Sequence, residues 1–250
     1  MKRILLMILI LFLAAVPALA DPLPLLEDYA GDIVVQYDET DPSAGVFSYS
    51  YRYPHPDEKA EGGPEINIFY TDLIGYDLGF TVPIIQEAFE GFDSSTVITY
   101  TVTCNNDDYF SVLVRIEEQN PDITRVSWNA HVFSRKNGSP GQTYTLPKVL
   151  GILSANENEE WLQNRQTEKA DSLIREMVWD IISENPDNID YGDLSEELLS
   201  GIFFPEEDFY LDENGDPVFY LQPCDVFEEV PEGMDLITIP IALEDILDEM

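Results

Sequence analysis

Residues 97–132, VITYTVTCNNDDYFSVLVRIEEQNPDITRVSWNAHV, contain three runs of alternating side chains joined by two polar turns. Ile98, Tyr100, Val102 and Cys104 alternate with Thr99, Thr101 and Thr103. After Asn105-Asn106-Asp107-Asp108, the residues Phe110, Val112, Val114 and Ile116 repeat the pattern; after Gln119-Asn120-Pro121-Asp122, Val126, Trp128, Ala130 and Val132 repeat it again. Neighbouring side chains on a strand point to opposite faces, so a period of two predicts half-buried strands. Short polar turns between such strands predict an antiparallel meander covered on one side only.

The cover must come from helices elsewhere. Ala170, Leu173, Ile174, Met177, Val178, Ile181 and Ile182 form an apolar stripe at helical spacing, extended by Trp161 and Leu162. Ser154 and Glu157 read as a capping box before it, and Asn185-Pro186 as its stop. Asp171 and Arg175 stand four apart in the favoured acid-first order. This long helix is expected to pack on the meander, giving an α+β fold. Between them, Asn137-Gly138 and Pro140-Gly141 mark turns.

Upstream, residues 21–32 read as an acidic, Pro-containing lead-in. Phe47, Tyr49, Tyr51 and Tyr53 form a strand ended by Pro54; Ile66, Phe69, Tyr70, Leu73 and Ile74 form a helix opened by Pro64. Gly75, Gly79 and Pro83 are expected to weaken or kink it, with a second piece over residues 84–89. Downstream, residues 209–211 and 218–221 flank Asp212-Glu213-Asn214-Gly215-Asp216 as a hairpin, followed by a strand at Ile237, Ile239 and Ile241 and a short acidic helix. Two interlocking α+β subdomains are expected, over residues 21–135 and 136–250.

The N-terminus reads as an export leader over residues 1–20. Lys2 and Arg3 precede an apolar run at residues 4–16, and Ala18-Leu19-Ala20 offers a cleavage site. A run of this length falls short of the roughly 20 residues a membrane helix needs, so cleavage is the expectation and an uncleaved anchor the alternative. The product is expected to be secreted or periplasmic, with no membrane contact after cleavage. With three residues before the apolar run, no cytoplasmic domain is expected.

The chain carries 49 acidic and 12 basic residues, a net charge of −37, and loss of the leader's two basic residues would make it −39. Such a field repels phosphate backbones and anionic lipid, which excludes nucleic acid as an expected partner, and attracts basic proteins. Cys104 and Cys224 are the two cysteines. An oxidising exterior permits a disulfide between them; the alternative is two unpaired thiols.

Templates for chemistry are missing: no G-x-S-x-G, H-E-x-x-H, P-loop or C-x-x-C occurs. The two histidines, His55 and His131, read as surface residues, the second on the polar face of the third strand. Asp212-Glu213-Asn214-Gly215-Asp216 lacks the Gly and Glu a calcium loop requires at its sixth and twelfth positions, where Pro217 and Pro223 stand. No metal, cofactor or catalytic residue is expected, and the protein is not expected to be an enzyme.

The order of elements resembles a known family. Gly141-Gln142-Thr143-Tyr144-Thr145-Leu146, the helix at residues 161–182, the hairpin at 209–221, Pro223, Gly233 and Ile237-Thr238-Ile239-Pro240 resemble the extracellular domain of the bacterial anti-sigma-V factor, the RsiV type. The first half, with Tyr51-Arg52-Tyr53-Pro54 before Ile66-Asn67, looks like its companion domain, also found beside peptidoglycan deacetylases. That resemblance implies binding of a basic protein such as lysozyme, with a cell-wall polymer as the alternative ligand and a carboxylate-dependent hydrolase as a third reading. It points to the loop bearing Pro223, Asp225, Phe227, Pro231 and Gly233 as the contact residues. The family's loop usually carries tyrosines where this one does not, so a structural connector is the competing role.

Overall fold

A five-stranded sheet carries the first half of the chain in a computed structural model that describes residues 22–136, 138–152, 160–184, 191–192, 194–231 and 233–250. Its strands are β1 (Tyr29–Gln36), β2 (Val46–Tyr53), β3 (Ser94–Asn105), β4 (Tyr109–Gln119) and β5 (Thr124–Ser134), side by side in that order. The leader, Asn137, the Ser154/Glu157 capping box, the Trp161 side chain and Asn185-Pro186 lie outside the described residues.

The fold is α+β, and the meander β3-β4-β5 is antiparallel. Two features add to it. Strand β1 takes the last four residues of what reads as lead-in, continues to Gln36 and pairs antiparallel with β2. Strand β2 then pairs with β3 in parallel, Phe47 opposite Ser94 through Tyr51 opposite Ile98. A parallel pair needs a long crossover, and a helical one supplies it: α1 (Gly63–Tyr76), a π-helical segment (Asp77–Thr81) and α2 (Val82–Ala88). Pro83 sits in the first turn of α2, where its missing N–H costs least.

This crossover, not the helix with the long stripe, covers the meander. Ile66, Tyr70 and Val82 from the crossover are buried with Phe47, Tyr49, Ile98, Phe110, Val112, Val114 and Phe133 from the sheet. The striped helix is α4 (Glu160–Glu184), preceded by the short α3 (Leu146–Val149). Its Ala170, Ile174, Val178 and Ile182 bury in a second core with Phe209, Leu211, Phe219, Leu221, Ile237 and Ile239. Those residues belong to a three-stranded antiparallel sheet of β6 (Phe209–Leu211), β7 (Pro217–Leu221) and β8 (Ile237–Pro240). The stripe was a sound sign of burial, but periodicity does not name the surface that buries it. Cys104, Tyr109 and Val132 of the meander enter the second core, so the two halves interlock.

The remaining helices are α5 (Glu196–Ile202), α6 (Pro223–Val226) and α7 (Leu243–Glu249). Ser195 caps α5 by accepting from the Leu198 N–H at 3.2 Å. At the other end Arg175 donates to the carbonyls of Ser200 and Phe203, and its guanidinium lies 5.6 Å from the Phe204 ring centre. Arg175→Ala removes two charge-assisted hydrogen bonds from a helix C-terminus and is expected to cost about 2–3 kcal/mol by urea unfolding.

Gly141 ties the halves. Its φ is +74°, and a Cβ there would lie 2.4 Å from the Gly62 carbonyl oxygen. Only glycine permits both the backbone angle and the approach. The Gly141 N–H donates to the Ser134 carbonyl at 2.7 Å, and the Ser134 N–H donates to the Gln142 carbonyl at 2.9 Å.

Candidate functional site

The loop between β4 and β5 sets which side chains face the crossover helix. Asn120 Oδ1 accepts from the N–H groups of Asp122 and Ile123, each at 3.0 Å, closing a four-residue turn that places Gln119 opposite Thr124. In that register Val112 is opposite His131, Val114 opposite Asn129 and Ile116 opposite Ser127. A shift of one residue flips every side chain of a strand. The apolar set Val126, Trp128, Ala130 and Val132 therefore faces away from the crossover helix, and the polar set Ser127, Asn129 and His131 faces towards it. His131 is not a surface residue.

Small polar groups opposite a helix leave room. A cleft of about 530 Å³ runs between the sheet and the crossover. Thr96, Ile98, Val114 and Ile116 form its floor, and Leu73, Asp77, Thr81 and Ile85 one wall; Phe204, Asp208, Gln222 and Asp225 of the C-terminal half close the other side. A second hollow of about 370 Å³ continues it past His131 towards Tyr144, Glu206 and Glu207.

The π-helical segment places a carboxylate in this cleft. Asp77 accepts from the Tyr49 hydroxyl at 3.0 Å and from the Thr81 hydroxyl at 3.2 Å. Glu118 and Asp225 add two more carboxylates, and Arg125 is the lone arginine of the lining. Asp208 adds a fourth. Burial pushes its pKa up to about 6, the nearby Glu207 and Asp225 charges push the same way, and the Phe204 N–H bonded to it opposes them. His131 is held low, at about 4, by burial, and contacts the Tyr70 hydroxyl at 3.3 Å and the Phe69 ring edge-on. At neutral pH it is an uncharged group packed against Tyr70 and Phe69. A carboxylate-rich cleft with one arginine receives a cationic side chain better than any anion.

The edge of β5 is closed by a side chain acting as a strand. Gln222 Oε1 accepts from the Trp128 N–H at 3.0 Å, and Gln222 Nε2 donates to the Trp128 carbonyl at 2.7 Å. Further along, the Tyr144 N–H donates to the Val132 carbonyl at 2.7 Å. Gln222→Leu strands both Trp128 groups and is expected to cost about 1–3 kcal/mol by urea unfolding.

The loop singled out from the resemblance divides between two places. Asp225 lines the main cleft. Pro223 and Phe227 line a separate hollow of about 470 Å³ with Ile123, Val126, Val230 and Met234. Pro231 and Gly233 line neither. Asp77, Glu118 and Asp208 do not stand out in the sequence, because nothing in an acid-rich chain distinguishes those carboxylates until the register is known; His131 does stand out, but as a surface residue.

Both cysteines are free thiols. Cys104 pairs with Ser111, which pairs with Val132, whereas Cys224 lies beside Arg125 and Thr124 near the other end of β5. Seven residues of strand separate those ends, roughly 23 Å. A disulfide needs Cα atoms within about 7 Å. Of the two alternatives, the structure holds the unpaired thiols; burial raises the Cys104 thiol to about 11. Among the described residues, no group of three or more His, Cys, Asp and Glu is placed to hold a metal ion.

No protein-family model and no curated protein matches this sequence. Solved structures share its fold, two of them DUF3298-family proteins. A DUF3298-family protein from Bacteroides fragilis aligns with a TM-score of 0.54 at 11% identity, over 90% of this chain and 93% of that one. A DUF3298-family protein from Pseudomonas aeruginosa aligns with a TM-score of 0.51 at 11% identity, over 91% of this chain and 94% of that one.

Proposed function

We propose that this chain is an exported, non-catalytic binding module whose acidic cleft receives a basic side chain or loop of a protein partner. One observation carries the reading: Asp77, Glu118, Asp208 and Asp225 converge on a cleft whose lining holds one arginine, in a chain of net charge −37. The field as a whole draws a basic partner in and raises the encounter rate, while the cleft supplies the contact that charge alone lacks. The leader pattern at residues 1–20 supports action outside the cytoplasmic membrane. The DUF3298 folds are in keeping with an RsiV-like domain, which makes lysozyme the first basic protein to try.

Calorimetry with lysozyme at about 150 mM salt tests it, where the screening length is about 8 Å. Saturable binding that weakens about tenfold in Asp77→Asn/Asp225→Asn, a loss of about 1.4 kcal/mol, is the expected result. Weak heats with every basic protein tried, vanishing as salt rises, reduce the cleft to unspecific attraction. Retention on purified peptidoglycan with no protein binding transfers the reading to a cell-wall accessory domain.

A further inference from the structure

The crossover helix, residues 63–88, has a second face that neither the sheet nor the cleft uses. Ile68, Tyr76, Phe80 and Ile84 are 60%, 61%, 62% and 66% exposed, and they stand on a four-residue spacing that only Asp72 interrupts. The Tyr76 and Phe80 rings are 5.4 Å apart. Phe92, just past the helix, is exposed as well. On a regular α-helix, residues four apart drift around the axis by about 40° a step. The wider turn of the π-helical segment Asp77–Thr81 offsets part of that drift, so the four side chains keep to one side. Large exposed apolar groups in a row mark contact surfaces more often than chance.

Two glycines on the same helix support that. Gly75 and Gly79 have no positive φ, and a Cβ on either would meet nothing within 4 Å. Each costs the helix about 1 kcal/mol relative to alanine, and no neighbour inside the molecule accounts for it. Four apart and next to Tyr76 and Phe80, they leave a shallow track where a second backbone can come close.

Charge selects the occupant. Glu65, Asp72, Glu87 and Glu90 are exposed along the helix and at its end, and no Lys, Arg or His occurs from residue 60 to residue 114. Anionic lipid headgroups and a second copy of this chain are both repelled by such a border. A helix with one apolar face edged by lysine or arginine fits it on both counts.

We propose that this face docks a cationic amphipathic helix. The stripe from Ile68 to Ile84 spans about 24 Å, the length of a helix of about 16 residues. Docking buries Phe80 and Ile84 against the partner's apolar face, seats its axis along Gly75 and Gly79, and sets one basic residue against Asp72, within the row, and another against Glu87, past its end. This surface is distinct from the acidic cleft, and neither proposal needs the other.

The test uses the full chain and a synthetic leucine–lysine peptide of about 18 residues with a single apolar face, titrated at about 150 mM salt. Saturable binding is expected. It should fall tenfold or more, about 1.4 kcal/mol, in Phe80→Ser/Ile84→Ser. Gly79→Leu, which fills the track and leaves both aromatic rings, should lower it by a similar factor. Both variants change only exposed positions, and circular dichroism melting checks their fold. Lysozyme titrated against the same two variants should bind as it does to the parent chain, which separates failure here from failure of the cleft. Equal peptide affinity in parent and variants overturns the proposal, leaving charge alone. So does stripe-dependent binding to phosphatidylglycerol vesicles without peptide binding, or a dimer in light scattering that Phe80→Ser/Ile84→Ser dissolves.

Discussion

Phe133→Ala is expected to destabilise the protein by about 3–5 kcal/mol, measured as a shift of the urea midpoint at unchanged slope. Phe133 is fully buried, and its ring lies 5.1 Å from Phe69 edge-on, 5.9 Å from Tyr70 and 6.2 Å from Phe110. Two of those partners come from the crossover helix and one from the sheet. The ring is therefore the contact through which helix and meander recognise each other, and alanine leaves a cavity between two rigid layers that cannot close over it. The surrounding aromatic pairs add about 0.5–1.5 kcal/mol each beyond area burial. A loss under about 1 kcal/mol would place the helix elsewhere.

The second large effect is a pH dependence owed to His131. Its folded pKa is about 4 against an ordinary value of 6.5. Between those values the unfolded chain binds a proton that the folded chain refuses, so stability is fully present above pH 6.5 and falls as pH drops towards 4. At about 1.36 kcal/mol per unit, the loss is at most about 3 kcal/mol, and partial exposure of the ring reduces it. Asp171 and Asp208 act in the opposite sense. Their folded pKa values are raised to about 6, mainly by burial, so each binds a proton more readily when folded and favours the fold as pH falls from about 6 towards 3.8. The clean measurement is the difference between parent and His131→Asn across pH 7.5 to 4.5. The gap in stability should narrow or reverse as pH falls, because asparagine has no proton to refuse. A gap that stays constant across that range would mean that the ring titrates normally.

Alternation made the meander readable, as did the hairpin at 209–221 and the final strand. The crossover helix is legible through Pro64 and the spacing of Ile66, Phe69, Tyr70, Leu73 and Ile74, and its irregular middle and second piece through Gly75, Gly79 and Pro83. What failed was assignment across distance. Strand β1 escaped because Ala30, Gly31 and Asp32 break its apolar rhythm and because its signal is the partner β2, not its own composition. The parallel β2-β3 pair leaves no local mark at all. His131 does lie on the polar face of β5, but that face is not the exposed one: a single strand shows which residues share a side, and only the pairing register decides which side meets the helix. The cleft carboxylates stayed hidden among 49 acidic residues. Composition gives the sign of the chain's own field and nothing of where its carboxylates converge.

The parallel β2-β3 pair also governs the order of assembly. Phe47 meets Ser94 across 47 positions of chain, whereas the meander closes through turns of a few residues. Loop closure of that length must precede any contact that rewards it, which makes such pairings late and slow. Amides of β4 are therefore expected to gain protection in pulsed hydrogen exchange before those of β1 and β2. Until then, refolding molecules would present β3 as a bare edge, open to the same strand of another chain.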